Sequence, residues 1–143
     1  MIKIHNCTID DISKLAQMNL MLIEDEKADT SMTLYQLEQR MTDFLNTNYK
    51  AFFFDMENKH IGYALVNINE NPLYLRQFFI TRENRRKGFG RMAFYALLEF
   101  LQIQEIDIDV YTWNQNGISF WKALGFSSRF INMRFRKEED SIK

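Results

Sequence analysis

Apolar positions along this chain change period several times, and each change predicts an element boundary. Ile2 and Ile4, with Cys7 closing the run, predict a short opening strand. Thr8 follows as a helix cap, with Asp10 and Asp11 in a first turn whose dipole favours acids. Ile12, Leu15, Ala16, Leu22 and Ile23 then keep helical spacing as far as Glu24, Asp25 and Glu26. Thr33 and Gln36 form a capping box, and Leu34, Leu37, Met41, Phe44 and Leu45 share one face of a second helix. Three β-like runs come next: Tyr49 to Met56, Ile61 to Ile68 and Leu73 to Ile80. Glu57 to His60 and Asn69 to Pro72 read as the turns of an antiparallel meander. The firmest helix carries Phe89, Met92, Ala93, Ala96, Leu97, Phe100 and Leu101. Ile106, Ile108 and Val110 alternate with polar residues as a strand, Asn114 to Leu124 suits a short helix stopped by Gly125, and Ile131, Met133 and Phe135 predict a last strand. A short strand over 126–128 would pair with it.

The order is β-α-α-β-β-β-α-β-α-β, a mixed α/β (α+β) arrangement. A strand, crossover helix and strand between Leu73 and Val110 should give one parallel pair in an otherwise antiparallel sheet. At 143 residues, without repeats or a Pro/Gly-rich linker, residues 1–136 read as one domain and 137–143 as a charged tail. The 13 Phe point to a dense aromatic core. A net charge of −1 gives no global field for nucleic acid or an anionic membrane. Cys7 is the single cysteine, so no intrachain disulfide forms, and no His/Cys cluster has zinc spacing, so no metal is expected. The start of the chain is too polar for a signal-peptide core, and no run reaches the approximately 18 apolar residues of a membrane helix. A soluble, cytoplasmic protein is the expectation.

Candidate chemistry concentrates between Ile80 and the firmest helix, in Arg85-Arg86-Lys87-Gly88-Phe89-Gly90-Arg91. Gly88 and Gly90 leave backbone N–H groups open where a helix begins, and the helix dipole adds partial positive charge. Arg85, Arg86, Lys87 and Arg91 add countercharge, so a diphosphate would fit. The plain alternative is a solvated basic loop with glycines as turn residues. Two glycines in a first helical turn cost roughly 1 kcal/mol each relative to Ala, which is easier to understand where a ligand approaches the backbone. Neither the P-loop pattern nor the Rossmann G-x-G-x-x-G is present, so nucleotide hydrolysis and hydride transfer recede.

Arg85 to Gly90 resembles the acyl-CoA loop of the GCN5-related N-acetyltransferase (GNAT) superfamily: Gln or Arg, two residues, Gly, one residue, then Gly or Ala. A second likeness is Asn114 followed eleven residues later by Gly125-Phe126 at the end of a short helix, and the element order agrees from Ile2 to Arg136. The resemblance implies a mainly antiparallel sheet whose one central parallel pair splays around a CoA site. It also implies acetyl-CoA as co-substrate and direct attack by an amine of a small molecule or peptide within a ternary complex; it leaves room for a homodimer. Phe78, Phe79 and Ile80 would pair with the pantetheine arm, the glycine loop would hold the diphosphate, and Asn114 would contact the arm from the opposite strand. A free backbone N–H near Phe79 would stabilise negative charge on the thioester oxygen.

Two positions depart from the family pattern. Trp121 stands where a Tyr commonly protonates the leaving thiolate; indole is a donor only, and the role left to it is shape or a hydrogen bond to sulfur. A thiol of pKa about 8.5 is a fair leaving group without an acid. Gln77 stands where many members carry a Glu base, and an amide accepts no proton. The acids closing the first long helix, Glu24, Asp25 and Glu26, lie where this fold usually receives its acceptor, and Glu26 is nearest the inward stripe. Tyr111 and Asp109 are further candidates, whereas His5 and His60 read as strand and turn residues. The alternative to an enzyme is an acyl-CoA-binding module with little or no activity.

Overall fold

The structure is a computed structural model and describes residues 1–138. From position 139 onward the expected charged tail lies outside the described residues. The elements are β1 (Lys3–Asn6), α1 (Ile12–Glu26), α2 (Leu34–Leu45), β2 (Tyr49–Met56), β3 (Lys59–Asn67), β4 (Leu73–Ile80), α3 (Phe89–Leu101), β5 (Ile106–Ile108) and α4 (Gln115–Leu124). One five-stranded sheet runs in the order β1-β2-β3-β4-β5, antiparallel except for the parallel β4–β5 pair. This is the mixed, mainly antiparallel arrangement expected.

Local chemistry accounts for most boundaries. Thr8 accepts from the backbone N–H of Asp10 and caps a 3₁₀ turn, Ile9–Asp11, that runs directly into α1. Thr33 and Gln36 exchange their capping-box hydrogen bonds at α2. The β2–β3 turn is tighter than the pattern suggested: Glu57 and Asn58, both at positive φ, make a two-residue connection. His60 therefore belongs to β3, where its ring stacks on Phe53 at 3.9 Å.

The sheet is covered on both faces. Leu15, Met18, Leu22 and Met41 of α1 and α2 pack on Phe53, Tyr63, Leu65 and Phe79. On the other face Ala93, Phe94 and Leu97 of α3 pack on Phe52, Phe54, Ala64 and Val66, with Trp121 and Phe126 alongside. Because β2 is buried on both sides, its Phe52-Phe53-Phe54 run is continuous rather than alternating. Each such ring contributes about 1.5–3 kcal/mol by leaving water. The aromatic excess thus serves the core.

Three expectations about strands fail. β5 stops at Ile108, leaving Asp109 and Val110 outside the ladder. The last strand through Ile131, Met133 and Phe135 does not form, nor does the short one over 126–128. Alternation alone makes no strand without a neighbour to hydrogen-bond, and these side chains stand 74–88% exposed.

Candidate functional site

A gap beside β4 organises the site. β5 pairs only with Leu73, Tyr74 and Leu75, and among the described residues no strand continues along β4 from Arg76 to Ile80. On its other side β4 stays paired with β3 up to Gly62↔Ile80, with a register shift between Leu65 and Val66. That shift is a bulge at Arg76, and it turns two successive side chains to the α1–α2 face. The Arg76 guanidinium lies 5.0 Å over the Phe44 ring, while the neighbouring Gln77 accepts a 2.7 Å hydrogen bond from the buried Tyr63 hydroxyl. Thr81 N–H donates to the Ile61 carbonyl at 2.8 Å, so by alternation Phe79 also directs its backbone groups toward β3. The backbone N–H groups that face the gap are those of Phe78 and Ile80, which refines the expectation placed near Phe79.

At the end of β4, a 3₁₀ turn (Arg82–Asn84) leads to Arg86 at φ 61° and Gly88 at φ 81°. Gly88 is the N-cap of α3 and offers no side chain, so the first-turn N–H groups of Phe89, Gly90 and Arg91 have no side-chain cap. A Cβ on Gly88 would meet nothing within 4 Å, so its surroundings are open to solvent. Gly90 is small for a different reason: a Cβ there would lie 3.1 Å from the Phe120 ring, which packs on α3 from α4. The loop's cations divide. Arg85 donates to the Ile80 carbonyl at 2.8 Å, pairs with Asp25 and lies 5.2 Å over the Phe79 ring. Arg82 pairs with Asp25 at 2.9 Å and Glu24 at 3.3 Å. Arg86, Lys87 and Arg91 are exposed and make no ion pair among the described residues, so they form the cationic rim of the α3 N-terminus.

These pairs redistribute the three acids of α1. Glu24 pairs with Arg82, and Asp25 pairs with both Arg82 and Arg85. Glu26 is half-buried beside a cavity of about 190 Å³ lined by Asp25, Glu26, Lys27, Trp113, Asn114, Gln115 and Asn116. Burial, and then the neighbouring Asp25 charge, raises its carboxyl to a pKa of about 7. Trp113, which no sequence pattern marked, donates from Nε1 to the Glu26 and Lys27 carbonyls at 3.1 and 3.2 Å and stacks on Tyr111 at 4.5 Å. It ties the loop after β5 to the end of α1. The Tyr111 hydroxyl donates to Asp29, and burial, then Asp29 and Glu26, raises its pKa, so it is a neutral donor.

The remaining candidates make contacts within the fold. Trp121 meets Phe78, Phe94, Phe120 and Phe126 edge-on at 4.8–5.6 Å, a packing position. Asn114 caps α4 by accepting from Gly117 N–H at 3.0 Å. Asp109 accepts from Tyr74 at 3.0 Å. His5 on the far edge strand lies 3.6 Å from Asp55, which His60 contacts at 2.5 Å, away from the gap. The described residues hold no cluster suited to a metal ion and no helix long and apolar enough to cross a membrane. Sequence reasoning also passed over Asn19, Arg40 and Tyr63, polar residues on helix faces or within an apolar run whose proximity only the fold creates.

The acetyltransferase (GNAT) family model matches residues 15–126. The chain belongs to that family. Its fold is similar to a possible acetyltransferase from Clostridium difficile 630, with TM-score 0.77 and 17% identity over 96% of this chain and 98% of the other. It is also similar to a predicted acetyltransferase from Clostridium acetobutylicum with acetyl-CoA (TM-score 0.70, 15% identity, 95% and 96% covered). A third similar structure is an aminoglycoside N-acetyltransferase in complex with CoA (TM-score 0.73, 15% identity, 96% and 95% covered).

Proposed function

We propose that residues 1–136 form a single N-acetyltransferase domain that uses acetyl-CoA to acetylate an amine of a small molecule or peptide in a ternary complex. The observation that carries this reading is the uncapped N-terminus of α3, rimmed by Arg86, Lys87 and Arg91, beside the open edge of β4. Helix N–H groups and cations suit a diphosphate, and an open strand edge suits an amide-bearing arm. The acetyl-CoA and CoA bound in the similar structures support the same choice of co-substrate. With one half-buried cysteine and this co-substrate, the proposed location is cytoplasmic.

Acetyl-CoA supplies the activated acetyl thioester. Phe78 and Ile80 N–H groups face the gap and hold the thioester arm, and Arg85 fixes the turn that follows. Glu26, with its raised pKa, takes the proton from the amine, directly or through water, so that the nitrogen lone pair is free to attack the carbonyl carbon. The new N–C bond replaces the C–S bond, and the thiolate leaves without an acid from Trp121. Tyr111 and Trp113 set the wall against which the acceptor lies.

The direct test is calorimetry with acetyl-CoA. Replacing Gly88 by Val should weaken binding by about tenfold or more, because a branched side chain then stands over the first-turn N–H groups in what is now open space. Circular dichroism checks that the fold persists. A folded Gly88→Val variant that binds as wild type does would remove the diphosphate from α3.

A homodimer is the second part of this reading. Among the described residues β5 is an edge strand, and the exposed Ile131, Met133 and Phe135 alternate in a segment, with Phe130 beside it, that pairs with no described strand. In two copies each segment would add to the other's β5 edge. Light scattering should return twice the 17.2 kDa chain mass, and Ile131→Asp with Phe135→Asp should return one. A wild-type protein that stays monomeric up to about 100 μM, a weak-dimer concentration, would overturn it.

A further inference from the structure

On the α1–α2 face, next to the bulge, two guanidinium groups share one aromatic ring. Arg40 lies 5.6 Å and Arg76 5.0 Å from the centre of Phe44. Arg40 Nη2 donates to Oδ1 of the buried Asn19 at 3.1 Å, while its Nε is fully buried and has no hydrogen-bond partner. Arg76 Nη1 donates to the Tyr49 hydroxyl at 3.3 Å. Neither guanidinium takes part in an ion pair of the described residues, although Arg82 and Arg85 both do. Two neighbouring guanidinium groups that only neutral groups contact are a pair suited to an anion.

Its position gives that anion a meaning. Arg76 is the bulge residue directly after Leu75, where β5 stops pairing, so it stands at the mouth of the gap. Arg40 bonds Asn19 of α1, and Glu26 lies seven residues further along that helix, two turns on and on the same face, which sets the guanidinium and the carboxylate on one side of α1. We propose that the acceptor bears a carboxylate beside its amine, as an amino acid does, and that Arg40 and Arg76 bind this carboxylate while the amine points to Glu26. This rests on the acetyltransferase reading above. Guanidinium forks match carboxylate geometry, and the same pair repels polyamines and other polycations. The substrate class is therefore amino acids and similar zwitterions rather than aminoglycosides.

The test uses the full chain with acetyl-CoA and matched acceptors: free amino acids, their carboxamides, a polyamine and an aminoglycoside, following thiol release. The acids should exceed their carboxamides in kcat/KM by about tenfold or more, the worth of one charged hydrogen-bonded pair. Arg76 is exposed, so Arg76→Gln should fold; it should raise KM for the acids by a similar factor and leave KM for acetyl-CoA unchanged. Arg40→Gln removes a half-buried group, so its effect counts only if thermal unfolding remains cooperative. Equal use of acids and carboxamides, or preference for the polycations, overturns the proposal. Calorimetry with acetyl-CoA alone separates the two levels: binding without carboxylate preference sinks only this inference, and no binding sinks the acetyltransferase reading together with it.

Discussion

Glu26→Gln is expected to lower kcat/KM for the amine by about 10²-fold or more at neutral pH, the usual contribution of a positioned base, while KM for acetyl-CoA stays near its wild-type value. The wild-type rate should rise as pH passes through about 7, where the Glu26 carboxyl loses its proton, and the variant should lose that inflection. Stability should move the opposite way. The folded pKa of about 7 lies above the ordinary 4.5, so between these values the native state binds more protons than the unfolded chain. This group's contribution is therefore fully present below about 4.5 and is lost as pH rises through about 7. A neutral Gln escapes that loss, and the variant should melt a few degrees higher than wild type at pH 8 with little difference at pH 4. Site strain of this kind is a common trade of stability for activity. A variant that keeps its activity within threefold would show that the proton goes elsewhere.

Gly62→Ala should be the most destabilising single substitution of the sheet. A Cβ at Gly62 would stand 2.0 Å from the Phe79 carbonyl oxygen and 3.1 Å from Ile80 Cα, all of it backbone on a strand locked in register. No side-chain rotation relieves such an overlap, so β3 and β4 must separate. The loss should reach about 4 kcal/mol, a large part of the 5–15 kcal/mol that holds a typical domain. Urea denaturation measures it. Because β4 carries Phe78 and Ile80 along the gap, any residual folded protein should also bind acetyl-CoA less tightly. A loss below 1 kcal/mol would mean that the two strands do not approach this closely.

Most elements were legible in the sequence, because each rests on short-range physics. The cap at Thr8, the capping box at Thr33, the helical stripe from Phe89 to Leu101 and the apolar runs of β2, β3 and β4 are settled within a few residues. The α3 loop was legible for the same reason: glycines, arginines and a helix start are neighbours in the chain. The last strand was misread because alternation shows which face a strand would bury but not whether a partner edge is there.

What only the tertiary structure decided is pairing between distant residues. Asp25 and Arg85 lie 60 positions apart, yet their ion pair ties the end of α1 to the basic loop. Trp113 reaches the end of α1, and Arg40 and Arg76 meet over Phe44, by the same folding of remote segments. A sequence determines the period, caps and turns that local backbone energetics select. Which charges neutralise one another, which stay unpaired and how far a carboxyl such as Glu26 is desolvated depend on distances that exist only once the sheet and helices have packed.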